Sequence, residues 1–306
     1  MKNNIKKLVK KIPIIKRVQK DRAFKKKFKV EIDLLKKKHR NNSEAKSIIH
    51  FSINKAATQY VKGVLTKMSN EHGLTPVAIH DYAFLTKMPY LDSLSIKEME
   101  QYKHIFKPRG YLYSVFGGMI EGIDNLEKYN VVLSVRDPRD ILVSNYYSTA
   151  LSHPVPPEKS DKREEFLEVR EWARSISIDE YVLSESDKVH AVFDRYRNNL
   201  IAKYDNVGIV RYEDMVSGYR RWLAGLANKS GLKISDRLSE ELLTEYEQNR
   251  VRKENKFAHV RKGVAGDYRE KLREDTIEQL NDQFDGILGF FGYKKQGATM
   301  SVPVHS

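Results

Sequence analysis

Five stretches of the chain are apolar at nearly every position and too short to be core helices: KSIIHFSI (46–53), PVAIH (76–80), GYLYSV (110–115), NVVLSV (130–135) and NVGIVRY (206–212). Continuous β-branched runs bounded by polar or turn residues predict strands buried on both faces. Between them the apolar residues fall at helical spacing. Val61, Val64, Leu65 and Met68 form one stripe after the first strand, and Ile277, Leu280, Phe284, Ile287 and Leu288 form another late in the chain. Strands alternating with helices predict an α/β three-layer sandwich, with a central parallel sheet of about five strands and helices on both faces. No internal repeat interrupts this order.

Composition narrows the class. With 306 residues and 40% hydrophobic side chains, the chain can bury one substantial core without needing two full domains. It has no cysteine, which excludes disulfides and thiolate metal sites, and its nine histidines form no HExxH-like cluster, so no metal site is expected. No secretory h-region is evident, and no apolar run approaches the roughly 18 residues of a membrane span. A cytoplasmic enzyme is the expectation.

Charge divides the chain. Residues 1–40 hold seventeen Lys and Arg against Asp21, Glu31 and Asp33, a surplus of fourteen that equals the net charge of the whole protein. The remainder is balanced, so the basicity belongs to an N-terminal arm, residues 1–43, ahead of a domain over 44–296 and a tail over 297–306. In the arm Ile5, Leu8, Val9, Ile12, Ile14, Ile15 and Val18 alternate with lysines, and Pro13 interrupts the helical pattern. Such a basic amphipathic helix suits an anionic membrane surface, held at its cytoplasmic (inner) face, or a docking partner; a plain solvated arm is the other reading. Nucleic acid ranks last, because no interleaved aromatics or recognisable module accompany the lysines. Residues 151–190, rich in proline and mixed charge, are expected to be a substrate-side insertion or a solvated loop with one helix.

In a parallel sheet the ligand site lies beyond the carboxyl ends of the strands, where loops turn into helix N-termini. Three motifs fall there. In the first, strand 46–53 runs through Asn54-Lys55-Ala56-Ala57 into a helix from about Thr58 and Gln59. Helix N–H groups and a lysine at one bend suit a phosphate or sulfate, although a solvated turn lysine fits the bare pattern as well. A Walker loop would require glycines and a Ser or Thr directly after the lysine for Mg²⁺. Here Ala56 follows Lys55, which disfavours a nucleotide-dependent phosphotransferase. In the second, Arg136 ends strand 130–135, Pro138 opens a helix, and Ser144 follows eight residues after the arginine, so guanidinium and hydroxyl can share one phosphate. In the third, HVRKGVAGDYRE (259–270), Arg261 and Lys262 precede Gly263 and Gly266, which let backbone approach an anion closely.

Together these motifs resemble, in order and spacing, the sulfotransferases that use 3′-phosphoadenosine-5′-phosphosulfate (PAPS). The resemblance covers about residues 46–293 and implies a P-loop-like nucleotide site. It implies that Lys55, Ala56, Ala57, Thr58 and Gln59 hold the 5′-phosphosulfate. Arg136, Ser144, Arg261, Lys262 and Gly263 would hold the 3′-phosphate, and Tyr212 of VRYEDM would pack near adenine. The bend departs from the usual K-[ST]-G-T-[TS], lacking one hydroxyl and the glycine, which puts donor affinity in doubt.

The resemblance further implies metal-free, in-line transfer to a hydroxyl or amine, leaving 3′,5′-bisphosphoadenosine (PAP), with Lys55 neutralising the leaving group. Many cytosolic relatives carry a histidine at the end of the strand that here is 110–118, and this segment has none. Glycan-directed relatives use a carboxylate after the second strand, where this chain has His80 and Asp81. Either can accept a proton from a sugar hydroxyl; the same pair also fits a strand cap and a helix cap. His259 is a candidate to pack near adenine, and Tyr113 and Ser114 to line the acceptor pocket. Carbohydrate or lipid acceptors are the expected partners. A membrane-docked, non-catalytic nucleotide-binding scaffold is the alternative that the altered bend keeps open.

Overall fold

The computed structural model describes residues 21–156, 158, 163–249, 255 and 262–295. Arg261, His259, residues 1–20 and the tail from 296 on lie outside them. Five strands form one fully parallel sheet: β1 (Ile48–Ser52), β2 (Thr75–Val77), β3 (Tyr111–Phe116), β4 (Asn130–Val135) and β5 (Val207–Arg211), in the order β2-β3-β1-β4-β5. The helices used below are α1 (Lys29–Leu35), α2 (Thr58–Glu71), α3 (Ile79–Phe84), α4 (Pro138–Tyr147), α5 (Arg163–Ser175) and α6 (Ile178–Tyr196). They continue as α7 (Tyr212–Ser217), α8 (Tyr219–Ser230), α9 (Asp236–Asn249), α10 (Glu274–Gln283) and α11 (Asp285–Phe291).

The pleat explains why the strands read as unbroken apolar runs. Successive side chains point to opposite faces, and both faces are covered. Ile49, Phe51, Tyr111, Tyr113, Val131, Leu133 and Val135 enter one core with Ile141, Leu142 and Val143 of α4 and Val182 and Phe193 of α6. Ile48, Leu112, Val132 and Val210 enter a second core with Val61, Val64, Leu65 and Met68 of α2 and Trp222, Leu223 and Leu226 of α8. The helices leaving β1 and β4, which are neighbours, therefore lie on opposite faces. This opens a crevice between the two carboxyl ends, the geometry that makes a switch point in doubly wound sheets.

Register fixes what lines that crevice. Ser52 pairs with Ser134 and Val135 with Arg211, so Arg136 and Tyr212 leave the sheet side by side, with Lys55 just beyond β1. The bend between β1 and α2 turns through two left-handed residues, Lys55 (φ 69°) and Ala57 (φ 56°). Ala57 occupies the position of the missing glycine, so the glycine-type conformation is kept at a cost of roughly 1 kcal/mol for the Cβ.

A buried histidine cross-links the three central strands. His50 Nδ1 lies 3.0 Å from Ser114 Oγ on β3, and its Nε2 lies 2.9 Å from Ser134 Oγ on β4. Burial, reinforced by the charge of Lys62, lowers its pKa from 6.5 to about 3. Tyr113 and Ser114, expected at an acceptor pocket, are instead core residues: Ser114 meets His50, and the Tyr113 hydroxyl donates to the Ile105 carbonyl at 2.8 Å.

Several boundaries differ from the sequence reading. The second strand ends at Val77, and Ile79 and His80 already belong to α3. The late apolar stripe is divided into α10 and α11, meeting at Phe284. In the stretch read as an insertion, α6 buries Tyr181, Val182, Val189 and Phe193. The described part of the basic arm, helical over 21–27 and in α1, packs on the domain. Phe28 and Leu34 are buried, and the Glu31 carboxylate accepts the Ala78 N–H at 2.7 Å.

Two stability measurements check these arrangements. Ala57→Gly should raise the unfolding free energy by about 0.5–1 kcal/mol in denaturant titration; a loss would contradict the strain assigned to the bend. His50 stays neutral in the fold while the unfolded chain takes a proton below pH 6.5. Its contribution is thus complete above that pH and lost progressively toward about pH 3, at roughly 1 kcal/mol per unit. Against His50→Gln, which cannot titrate, the wild-type advantage should shrink at that rate, and a difference that stays constant with pH would refute the assignment.

Candidate active site

The amine of Lys55 is directed across the crevice by the left-handed bend and donates to Ser148 Oγ at 2.7 Å, at the end of α4. Its pKa is lowered, first by burial and then by the Arg136 charge. A half-buried cation thus lies close to a buried one. Thr58 opens α2, whose first-turn N–H groups have no partners within the helix, and its hydroxyl lies 2.8 Å from Ser52 Oγ. Ala56 is buried, Ala57 packs on the α2–α8 core, and Gln59 is exposed on the first turn of α2.

Arg136 is gripped from several sides. It donates to the Lys55 carbonyl at 3.2 Å and the Val264 carbonyl at 3.4 Å, reaches Asp140 at 3.5 Å, and stacks its guanidinium 4.3 Å from the Tyr212 ring centre. Its buried Nε has no hydrogen-bond partner among the described residues. Ser144 is half-buried on α4. Four residues before Ser148, it shares the helix face that meets Lys55.

Buried charge shapes the walls. Asp137 caps α4 by accepting the Arg139 N–H at 3.0 Å, and its carboxylate also holds the Arg139 guanidinium at 2.9 and 2.6 Å. Asp140, fully buried, accepts the N–H groups of Gly266 (2.7 Å) and Tyr268 (3.0 Å). That carboxylate pins the glycine-containing loop against Arg136. Glu213 accepts the Asp137 N–H at 2.9 Å, and burial raises its pKa to about 7.

The third motif is only partly in view. Gly263 takes a left-handed turn (φ 66°). Lys262 faces Asp267 and Glu270, at 2.9 and 2.5 Å, rather than the crevice. Arg261 and His259 lie outside the described residues.

His80 and Asp81 stand apart from this cluster. They occupy the first turn of α3, beyond β2, which is two strands from β1, roughly 10 Å along the sheet. His80 stacks on Tyr90 with ring centres 4.7 Å apart, and Asp81 pairs with Lys62 at 2.6 Å. The sequence reading therefore brings together Lys55, Thr58, Arg136, Ser144 and Tyr212, and it missed Ser148, Asp140 and His50. The second hydroxyl had a trace in the sequence, a serine one turn after Ser144. Asp140 and His50 had none, because their partners lie 126 and 64 residues away.

Comparison with known proteins agrees in kind. A sulfotransferase-domain family model matches residues 124–296, a span that includes β4, Arg136, Ser144, Tyr212 and Lys262 but not the Lys55 bend. None of the curated proteins matches the sequence at significance. Among solved structures, the chain is similar to the mouse sulfotransferase SULT7A1 complexed with PAP, at 16% identity over 85% of this chain and 88% of that one, with a TM-score of 0.45. It is similar also to sulfotransferase STF9 from Mycobacterium avium, at 9% identity over 90% and 82%, TM-score 0.46. A retinol dehydratase in complex with retinol and PAP aligns at 15% identity over 84% of each chain, TM-score 0.43. The family model spans more than half of the sequence, and on that ground the chain belongs to the sulfotransferase domain family.

Proposed function

We propose that this enzyme moves the sulfuryl group of PAPS to a hydroxyl or amine of an acceptor, with PAP as the other product. The observation that carries the reading is the convergence of Lys55 and Arg136 on the crevice between β1 and β4, Lys55 held by the Ser148 hydroxyl and Arg136 by two carbonyls and Asp140. Like charges brought together away from water oppose one another, and an anion between them relieves that cost. The buried, unpartnered Nε of Arg136 fits a group bearing acceptor oxygens. Both features suit a nucleotide with two separate phosphate ends.

The donor supplies an activated sulfuryl group on a phosphate leaving group. The chain's part is positional and electrostatic. Lys55 and the α2 N-terminus, with Thr58, would hold the 5′ end, and Lys55 would meet negative charge growing on the bridging oxygen. Arg136 and Ser144, with Arg261, Lys262 and Gly263 of the third motif, would take the 3′-phosphate. Lys262 would have to leave Asp267 and Glu270 to do so. Tyr212, already stacked on Arg136, would border the adenine.

For the base we assign the α3 pair, His80 and Asp81, which start from the same edge of the sheet two strands from β1. Asp81 is engaged by Lys62, so His80 is the freer of the two for taking a proton from an incoming hydroxyl. The acceptor class that goes with this reading is a glycan or lipid at a membrane, met by a cytoplasmic protein bound peripherally at the inner face through residues 1–40. Among the described residues no helix is long and apolar enough to cross a membrane.

Three experiments bear on the donor site. PAP without Mg²⁺ should raise the melting temperature, and by more than MgATP; the reverse order would point to phosphoryl chemistry instead. Lys55→Ala should lower kcat by about 10² or more while keeping measurable PAP affinity. Arg136→Ala should show the opposite balance, weakening PAP binding by about tenfold or more, since it removes a charge-assisted grip worth about 1.5–3 kcal/mol. Equal, small effects of both changes on kcat and affinity would sink the division of labour.

A further inference from the structure

The end of α3 presents two adjacent large apolar residues to solvent, Phe84 and Leu85, which with Ile96 are the three most exposed of their kind among the described residues. Phe84 at its end is 70% exposed, and Leu85, immediately after, is 52% exposed. Neither is needed by the core, which α3 meets through Ile79 and Ala83. Four residues separate Phe84 from His80, and three separate Leu85 from Tyr82, so the apolar pair continues the faces that carry those two residues.

The same helix is clamped to the basic segment. Phe24 packs tilted and Phe28 edge-on against Tyr82, at ring-centre distances of 5.9 and 5.5 Å, and Glu31 holds the Ala78 N–H ahead of the first turn. Around this clamp Arg22, Lys25, Lys26, Lys27 and Lys29 are exposed, as is Lys87 just after Leu85. The acids of the segment offset them only in part: Glu31 is buried against α3, Asp33 is half-buried and 3.9 Å from Lys29, and Asp21 is exposed. Packing therefore fixes the segment that bears the cations against the helix that ends in the protruding apolar pair.

The geometry points to a docking face, made of the 21–35 helical segment and the end of α3, that lies on an anionic lipid surface with Phe84 and Leu85 inserted and the lysines over the headgroups. This rests on the sulfuryl-transfer reading with a membrane-borne acceptor and adds the surface that would meet it. Charge complementarity favours a polyanion, each cation near an anionic leaflet contributing about a further fivefold in affinity. The exposed Phe-Leu pair selects among polyanions: a bilayer gives it an apolar phase to enter, whereas a nucleic acid or a sulfated glycan offers water. Because α3 begins at the carboxyl end of β2, it starts from the same edge of the sheet as the crevice, with His80 in its first turn.

The test uses the full chain and co-sedimentation with vesicles of phosphatidylcholine plus phosphatidylserine, with phosphatidylcholine alone as control. Wild type should bind the mixed vesicles and not the control. The double variant Phe84→Ser/Leu85→Ser should bind about tenfold or more weakly, with an unchanged melting temperature and unchanged PAP affinity. Replacing Lys25, Lys26, Lys27 and Lys29 with Gln should weaken binding most at low salt. Undiminished vesicle binding by the double variant would overturn the proposal, as would tighter binding of wild type to RNA or heparin than to the mixed vesicles. Loss of PAP binding by the wild type would instead refute the donor-site reading, so the two failures are distinguishable.

Discussion

The site depends on a knot of charge removed from water at the end of β4. Within five residues, 136–140, two arginines and two aspartates are buried, a sequence that would be costly were any one of them unpaired. Asp137 holds Arg139 through two oxygens and caps the helix they open. Asp140 spends its own lone pairs on the backbone of residues 266 and 268. Arg136 is left with carbonyl oxygens, one weak ionic contact and an aromatic face. Pairing is thus complete for the structural charges and incomplete for the one that points into the crevice. The incompleteness matters because a guanidinium already dehydrated by folding loses little more on meeting a ligand.

Much of this was legible in the sequence, and for identifiable reasons. Strands buried on both faces must be apolar at every position, so β1, β3 and β4 stood out within a residue or two. The placement of Lys55 and Arg136 followed, since a parallel sheet puts all strand ends on one edge. Tyr212 was legible through its position directly after β5. The helical stripe of α2 matched its buried residues because its spacing admits one inward face.

What remained hidden depended on contacts distant in sequence. Ser114 read as a pocket residue near the end of an apolar strand; only the register of β1 with β3 places it against His50. Lys262 read as a ligand-facing cation, and its pairing with Asp267 and Glu270 arises from a loop folding back on itself. The basic arm read as one appendage because charge dominates its composition, while three residues, Phe28, Glu31 and Leu34, suffice to seat its second half on the domain. At Ala57 the missing glycine suggested an altered loop, yet the backbone adopts the left-handed turn regardless.

The alternation of side chains along the central strands has a mechanical implication. Lys55 is carried by a bend whose helix, α2, is bedded in one apolar layer, and Arg136 by the turn into α4, which is bedded in the other. The spacing of the two cations is therefore set like the gap of a caliper whose jaws are mounted on opposite sides of a plate. Loosening either layer alone would shift one jaw and leave its counterpart still. Distant cavity-forming changes would on this view act on fit at the crevice according to the odd or even position they occupy in a strand, well before they threaten the fold.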